Sequence, residues 1–270
     1  MAMQPSNGTA LITGASTGIG AIYAERLARR GYDLVLVARN RERLEQLAQR
    51  LSEQSGRRVE VLVADLNDKA DLARVEQLLR SDARISLLVN NAGVGATAPL
   101  LDSDVEQMTR MIELNVTALT RLTYAAVPGF VARQGGTIIN IASIVGIAPE
   151  LLNGVYGGTK AFVLAFSQSL QHELADKHVR IQAVLPGATA TEFWEGAGTP
   201  VAHLPGEIVM QAQDMVDAAL AGLDQGESIT LSSLPEIADW HAYQAARQHL
   251  LPNLSRQLPA QRYRLADRAR

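Results

Sequence analysis

Residues 9–20 read TALITGASTGIG, a short apolar run that leads into a glycine-rich turn and then into the helix-forming segment 21–30. The run Thr9–Thr13 predicts a buried strand, and the glycines allow the backbone to pass close to a ligand. A helix that begins at such a turn offers unpaired N–H groups and the positive end of its dipole to a phosphate. The stretch therefore predicts the first strand–helix unit of an α/β fold, with an anion site at the turn.

Strand-like and helix-like segments alternate from this unit to about residue 231. Further strands are predicted at residues 32–38, 59–64, 85–90, 137–141, 179–185 and 229–231. Such alternation predicts a Rossmann-like, doubly wound parallel sheet of about seven strands with helices on both faces. We expect one domain over residues 1–270. Helices are expected at 68–80, with Asn67 as the N-cap, and, as two long ones, at 104–131 and 155–177.

Two segments depart from this rhythm. Residues 188–213 hold several glycines and prolines, and loops of this length are usually functional or disordered. This loop follows the carboxyl end of a strand, where open α/β sheets bind ligands, so we expect it to border the substrate. Residues from about 235 to 270 form a C-terminal extension to which the sequence assigns no role.

The composition argues against several functions. The 270 residues are 47% hydrophobic and carry a net charge of −3, which gives no electrostatic support for binding nucleic acid or an anionic membrane. Cysteine is absent, which excludes disulfides and thiolate chemistry and fits a cytoplasmic location. No segment approaches the roughly 20 apolar residues of a membrane span. The five histidines show no metal-ligand spacing, so no metal site is predicted.

A second constellation lies between residues 143 and 160. Tyr156 and Lys160 are four residues apart, so they are neighbours on one face of a helix. A phenol normally titrates near about 10, and an ammonium beside it favours the phenolate. Ser143 could hold the oxygen of a substrate near this phenol. Taken alone, the spacing also fits an ordinary solvated helix face.

The end of the second predicted strand discriminates between two coenzymes. An acidic residue about 20 residues past the glycines normally binds the adenosine ribose and excludes a 2′-phosphate. Arg39 stands at that place, and no carboxylate follows until Glu42. Because a guanidinium makes a planar, paired contact with phosphate, Arg39 favours NADP(H) over NAD(H). The alternative is that Arg39 is only an exposed charge at the start of a helix.

Taken together, these motifs resemble the short-chain dehydrogenase/reductase family. The resemblance extends from Thr9 to about Leu234. It rests on TGASTGIG at 13–20, Asp65, NNAG at 90–93, Asn115, NIAS at 140–143, YGGTK at 156–160 and PG at 186–187. The joint order and spacing of these motifs are highly specific. One departure is Thr17, because many NADP-dependent members carry a second basic residue inside the glycine loop.

The resemblance implies a role for each matching position. Tyr156 would give or take the proton, Ser143 would orient the carbonyl, and Asn115 would hold a water. Lys160 would bind the nicotinamide-side ribose and lower the pKa of the tyrosine. The pyrophosphate of the coenzyme would contact Gly14, Ser16, Gly18, Ile19 and Gly20. The adenosine side would contact Arg39 at the 2′-phosphate and Asp65 and Leu66 at the adenine. The nicotinamide side would contact Asn91 at the ribose and Tyr156, Pro186, Gly187, Thr189 and Thr191 at the nicotinamide.

The implied reaction interconverts a carbonyl and an alcohol by hydride transfer. The substrate is expected to be a hydrophobic ketone or aldehyde, because apolar residues occur in the segment after Ser143 and in the loop at 188–213. They are Ile144, Val145, Ile147, Leu151, Leu152, Phe193, Trp194, Val201 and Leu204. These residues could equally pack against the body of the protein. Two alternatives are a 3-oxoacyl thioester reductase and a non-catalytic NADP(H)-sensing protein, the latter disfavoured by the complete catalytic set. The resemblance also implies a homodimer or homotetramer that pairs through the two long helices.

Overall fold

The computed structural model describes residues 6–263 of the chain. Two compact units are present, Met1–Ser232 and Ser233–Arg270. Residues 264–270, the end of the expected extension, lie outside the described part. The first unit holds the sheet, the glycine turn and every candidate site residue.

A parallel sheet forms the centre of the first unit. The strands of the described residues are β1 (Thr9–Thr13), β2 (Asp33–Ala38), β3 (Val59–Val63), β4 (Ile85–Asn90), β5 (Gly136–Ile141), β6 (Val179–Val184), β7 (Thr189–Ala190), β8 (Met210–Gln211) and β9 (Ile229–Thr230). Seven of them form one sheet in the order β3-β2-β1-β4-β5-β6-β9, with every neighbouring pair parallel. The predicted doubly wound sheet is confirmed. The strand order reverses at β1 and β4, and this opens a crevice at their carboxyl ends.

Helices cover both faces of the sheet. They are α1 (Gly18–Arg29), α2 (Arg41–Ser55), α3 (Lys69–Ser81), α4 (Val105–Ile112), α5 (Leu119–Ala132), α6 (Gly154–Glu173), α7 (Phe193–Ala197), α8 (Ala212–Asp224) and, in the second unit, α9 (Ile237–His249). One buried apolar core joins the sheet to α1, α2 and α8, and the other joins it to α3, α5 and α6. Strands with a core on both faces must be apolar on both, which explains the continuous hydrophobic runs of β1 and β2.

Two helix starts differ from the prediction. The first helix was expected at Ala21 but begins at Gly18, so the last glycines of the turn already belong to α1. The expected N-cap Asn67 is wrong. Asp68 caps α3, because its carboxylate accepts from the N–H groups of Ala70 and Asp71. Asn and Asp are both favoured N-cap residues, so the sequence pattern alone does not decide which of two neighbouring positions caps the helix.

The two long helices also differ from the prediction. The first was expected over 104–131; Asp104 is instead its N-cap, and a π-helical segment, Glu113–Ala118, separates α4 from α5. Pro128 lies within α5 without ending it. The second was expected to reach Lys177 but ends at Glu173, because the chain must turn into β6 and His178 adopts a φ of 58°.

The loop at 188–213 has defined structure. Its ends are joined by the pairing of β7 with β8, in which Thr189 lies opposite Met210. The helix α7 lies between them, and two 3₁₀ turns follow it, Val201–His203 and Gly206–Ile208. After the role predicted for it, we call residues 188–213 the substrate loop from here on.

The second unit contains α9 and two short 3₁₀ turns, Leu251–Asn253 and Gln261–Tyr263. Within residues 6–263, the histidine, aspartate and glutamate side chains form no group of three that could hold a metal ion. In the same range, every helix is too short or too polar to cross a membrane.

Candidate active site

The four predicted catalytic residues come together beside the carboxyl end of the sheet. Ser143 lies two residues after β5, Tyr156 and Lys160 lie in the first turns of α6, and Asn115 lies in the π-helical segment. All four side chains are buried. Single π-helical turns occur often at functional sites, where they reposition one side chain of a helix.

Lys160 is a buried cation with a main-chain partner. Its Nζ donates to the carbonyl oxygen of Ile141 at 2.9 Å. Burial disfavours the charged form and lowers the pKa of Lys160 to about 8. A lysine in this state is ready to release or accept a proton near neutral pH.

Tyr156 is 6% exposed, and the side chain of Ser143 lies beside its hydroxyl. Burial raises the pKa of Tyr156 to about 12, and the neighbouring Ser143 side chain acts against this rise. The direction is opposite to the lowering expected from Lys160. The cause is burial of the phenol; Nζ of Lys160 lies 5.8 Å from the centre of the tyrosine ring. Tyr156 is therefore a protonated phenol over the whole neutral range.

Asn115 fixes the chain that follows β4. Its Nδ2 donates to the carbonyl of Val94 at 2.8 Å and to Oγ1 of Thr159 at 3.1 Å. Its Oδ1 accepts from the N–H of Val94 at 3.0 Å. A methyl group added to Gly93 would lie 3.0 Å from Oδ1 of Asn115 and 3.7 Å from Nζ of Lys160. Asn115 and Lys160 are thus neighbours across the backbone of Gly93.

The glycine turn is compact, and a second loop braces it. Gly14 and Gly18 have φ values of 64° and 53°, a region that L side chains rarely adopt. A methyl group at Gly20 would lie 2.3 Å from the carbonyl oxygen of Gly14, so only glycine fits there. The side chain of Asn91 donates to the carbonyls of Thr13 and Gly14 at 2.9 and 3.2 Å.

This geometry fits a bound pyrophosphate. Ser16 and Ile19 are partly buried beside these glycines, and no side chain of the described residues caps α1. The N–H groups of the first turn of α1 therefore remain available to an anion.

The residues predicted to contact the adenosine follow the ends of β2 and β3. Arg39 is exposed, and it has no hydrogen bond or ion pair with another residue of the described part. Asp65 turns the chain, because its carboxylate accepts from the N–H of Asn67 at 3.0 Å. Leu66 is buried. Arg39 is thus accessible to an anion, whereas the carboxylate of Asp65 is engaged by its own turn.

The residues after β6 connect the site to the substrate loop. The carbonyl of Pro186 accepts from Oγ of Ser143 at 3.3 Å, and that of Gly187 accepts from Oγ1 of Thr189 at 3.1 Å. Trp194 is buried, and its Nε1 donates to the carbonyl of Thr189 at 2.9 Å. Trp194 is therefore an anchor of the loop.

An apolar cluster surrounds the ring of Tyr156. Four of its members were predicted from the loops: Ile144, Val145, Leu152 and Phe193. The others were not predicted: Ala96, Met108, Met111 and Val155. The ring centres of Phe193 and Tyr156 are 5.7 Å apart. Phe193 can approach because Gly95 has no side chain, since a methyl group there would lie 2.2 Å from Cζ of Phe193.

Two residues that hold the parts of the site in place were not predicted from the sequence. Asn153 caps α6 by accepting from the N–H groups of Val155 and Tyr156, and its Nδ2 donates to the carbonyl of Ala98 at 2.6 Å. Oγ1 of Thr13 accepts from the N–H groups of Asn91 and Ala92, both at 3.0 Å. An Asn three residues before Tyr156 was a readable cap signal. No local sequence pattern indicates the contact between Thr13 and the residues that follow β4.

Comparison with known proteins identifies the family. The family model for short chain dehydrogenases matches residues 8–200 of the 270. The chain therefore belongs to the short-chain dehydrogenase family and is an oxidoreductase of that family. The resemblance drawn from the motifs is confirmed.

Solved structures agree closely with this chain. A short-chain dehydrogenase from Sphingobium yanoikuyae in complex with NADPH is 52% identical, with a TM-score of 0.93 over 95% of this chain and 100% of that chain. The bulky-bulky ketone specific alcohol dehydrogenase from Comamonas testosteroni is 44% identical, with a TM-score of 0.88 over 96% of this chain and 99% of that chain.

A curated relative acts on a substrate that differs from the bulky ketones of the Comamonas testosteroni enzyme. A very-long-chain 3-oxoacyl-CoA reductase from Anas platyrhynchos is 35% identical over 197 residues, which cover 71% of this chain and 63% of that protein. Family membership thus leaves the substrate class open.

Proposed function

We propose that the protein is an NADP(H)-dependent carbonyl reductase and alcohol dehydrogenase for hydrophobic ketones or aldehydes. One observation carries this proposal. The buried hydroxyl of Tyr156 lies beside the side chain of Ser143, and the tyrosine ring is enclosed by the apolar cluster. A carbonyl oxygen between the two hydroxyls would meet two donors while its carbon substituents met apolar side chains.

The coenzyme assignment is supported by the glycine turn and by Arg39. The turn leaves the N-terminal N–H groups of α1 to a pyrophosphate, and the exposed Arg39 suits a 2′-phosphate. The relative from Sphingobium yanoikuyae, a complex with NADPH, supports the same choice. When bound, the nicotinamide supplies or accepts the hydride, and the protein orients the reactants.

Tyr156 would act as the general acid in carbonyl reduction and as the base in the reverse direction. Its raised pKa keeps the proton on the phenol until an alkoxide develops beside it. Ser143 would donate a second hydrogen bond to the same oxygen, a contact whose loss typically costs about 10²–10³ in rate. Lys160, with a pKa of about 8, would bind the ribose and return a proton to Tyr156 after the phenol has given its own to the alkoxide.

A substrate panel tests this proposal. Ketones with two bulky substituents, simple aliphatic ketones and hydrophobic aldehydes are each supplied with NADPH or NADH, and absorbance at the reduced-coenzyme band is followed. We expect NADPH to be preferred and a hydrophobic ketone to react best. The ketone class is supported by the similarity to the Comamonas testosteroni enzyme. Equal rates with NADH, or no reduction of any carbonyl, would contradict the proposal.

The second candidate is reduction of a 3-oxoacyl thioester, which the relative from Anas platyrhynchos favours. A 3-oxoacyl-CoA in the same panel decides between the two. Against this candidate, Glu192 and Glu195 lie exposed on the substrate loop and would repel an anionic thioester carrier.

We also propose a homodimer or homotetramer that assembles through α5 and α6, in the cytoplasm. Rings on these two helices stack in a row, with centres 6.5 Å apart for Tyr124 and Phe166 and 5.6 Å apart for Phe162 and Phe166. Tyr124 is nevertheless 68% exposed, so this row lacks a cover within the described chain. Light scattering of Tyr124→Arg should report a smaller assembly than the parent, and an unchanged mass would exclude this interface.

A further inference from the structure

One ion pair joins the start of α2 to the substrate loop. Nη1 of Arg43 donates to Oε2 of Glu192 at 2.7 Å, across 149 residues of sequence. Arg43 lies in the first turn of α2, one turn beyond the exposed Arg39. Glu192 directly precedes α7. The contact therefore links the adenosine side of the crevice to the loop that covers Tyr156.

The pair borders a cavity beside the glycine turn. This cavity has a volume of about 530 Å³, and Ser16, Thr17, Arg43, Arg50 and Glu192 are among its walls. Because α1 begins one residue after Thr17, the cavity is next to the helix end that attracts phosphates. A cationic side chain in this wall can reach an anion bound there.

The arginines of this region differ in their partners. Arg41 pairs with Glu45 of its own helix at 3.3 Å, and Arg50 approaches Glu25 of α1 at 3.7 Å. Among residues 6–263, Arg43 alone of these three has a partner on the substrate loop.

The Arg43–Glu192 pair can be displaced easily. Its side chains are 46% and 60% exposed, and a pair exposed in this way shifts an equilibrium by no more than about fivefold. A phosphate offers a guanidinium two parallel, charge-assisted hydrogen bonds, which are stronger. A dianionic phosphate near Arg43 would therefore replace Glu192.

The neighbours of Glu192 indicate what such a replacement moves. Thr191 packs against the glycine turn, since a methyl group at Gly18 would lie 3.2 Å from its Cγ2. Phe193 packs against Tyr156, with ring centres 5.7 Å apart. Three consecutive residues of the loop thus contact the glycine turn, α2 and the candidate catalytic tyrosine.

We propose that Arg43 is a second ligand of the coenzyme 2′-phosphate, and that it releases Glu192, and with it the substrate loop, when NADP(H) but not NAD(H) binds. This inference rests on the proposed coenzyme. It goes beyond the role of Arg39, because it couples the choice of coenzyme to the position of Phe193 over Tyr156.

The test uses 2′,5′-ADP and 5′-AMP, which differ by the 2′-phosphate and carry no nicotinamide. In full-length Trp240→Phe protein, Trp194 is the remaining tryptophan, and its ring centre lies 5.6 Å from that of Phe193. We expect saturating 2′,5′-ADP to change the fluorescence of Trp194 and saturating 5′-AMP to leave it unchanged. An equal change with both ligands would overturn the coupling.

Affinities measured by calorimetry test the proposed roles of Arg43 and Glu192. Arg43→Gln should weaken 2′,5′-ADP binding by about tenfold or more, as expected for a lost charge-assisted contact. Glu192→Gln should tighten it by about two- to fivefold, because a competitor is removed. The effect of Glu192→Gln should vanish in the Arg43→Gln background. Binding of 5′-AMP should stay the same in all three variants.

Matched controls come from the same elements. Arg41→Gln and Glu195→Gln remove exposed charges from the same turn of α2 and from α7, and each should change 2′,5′-ADP affinity by less than about twofold. If 2′,5′-ADP binds but Glu192→Gln has no effect, this inference fails and the proposed carbonyl reduction stands. If the parent protein does not bind 2′,5′-ADP, the NADP(H) assignment and this inference both fail.

Discussion

The ammonium of Lys160 lies 5.8 Å from the centre of the Tyr156 ring, on the same face of α6. The spacing of four residues placed the two side chains together, as the sequence predicted. Burial, however, sets their proton affinities. It raises the pKa of Tyr156 to about 12 and lowers that of Lys160 to about 8. The site therefore holds a phenol that keeps its proton beside an ammonium that gives its proton up easily.

Burial of Lys160 should cost stability at neutral pH. Its folded pKa of about 8 lies below the ordinary 10.5, so the unfolded chain binds more protons between these values and stability rises with pH there. Lys160→Met should be more stable than the parent at pH 7 by about 1–3 kcal/mol. At pH 9.5 this advantage should be about 2 kcal/mol smaller. Urea unfolding at both pH values measures it, and a pH-independent advantage would refute burial as the cause.

Gly20→Ala should damage the glycine turn. The added methyl group would lie 2.3 Å from the carbonyl oxygen of Gly14 and 2.6 Å from Nδ2 of Asn91, and neither group can move freely. We expect a loss of about 1–3 kcal/mol in unfolding free energy and no measurable NADPH binding. The control is Gly158→Ala in α6, where the methyl group meets no described atom within 4 Å. It should add about 0.5–1 kcal/mol and leave NADPH affinity unchanged. Normal coenzyme binding by Gly20→Ala would show that the turn is not the coenzyme site.

Asn153 should support α6 in two separable ways. Its Oδ1 caps the helix that carries Tyr156, and its Nδ2 donates to Ala98 and Ser103 in the segment between β4 and α4. Asn153→Ala should lose about 1–2 kcal/mol of unfolding free energy. Asn153→Ser keeps a cap acceptor without the amide donors, so its loss should be smaller. Chemical unfolding gives the order, and equal losses in both variants would mean that the cap contributes nothing.

Phe193→Ala should change the size preference for substrates. The ring of Phe193 lies in the apolar cluster around Tyr156, so its removal opens space where a ketone substituent would lie. The kcat/KM for a diaryl ketone relative to acetone should rise by about tenfold, the scale of hydrophobic pocket discrimination. Leu204→Ala, on the same loop but outside that cluster, is the control. An unchanged ratio in Phe193→Ala would place the substrate elsewhere.

Much of the fold was readable from local pattern. The glycine turn and the apolar strands predicted the parallel sheet, because buried strands in such sheets carry continuous hydrophobic runs. The helix ends were less readable. Asp68 rather than Asn67 caps α3, and the π-helical segment Glu113–Ala118 has no composition signal.

The site was readable in part. Motif order identified Ser143, Tyr156 and Lys160, which the fold brings together. The sign of the tyrosine pKa shift depends on burial, which spacing does not report. Arg43 was missed because its partner Glu192 is 149 residues away, and no periodicity encodes that contact.

The most direct test of the account is Tyr156→Phe. It removes one hydroxyl and keeps the ring that packs in the apolar cluster. With NADPH and the best ketone of the panel, turnover should fall by about 10²–10⁴, while the NADPH dissociation constant stays within about twofold of the parent. Tyr263→Phe, which removes an exposed hydroxyl, should change neither quantity. A Tyr156→Phe protein that keeps more than about a tenth of the parental rate would contradict proton transfer by Tyr156.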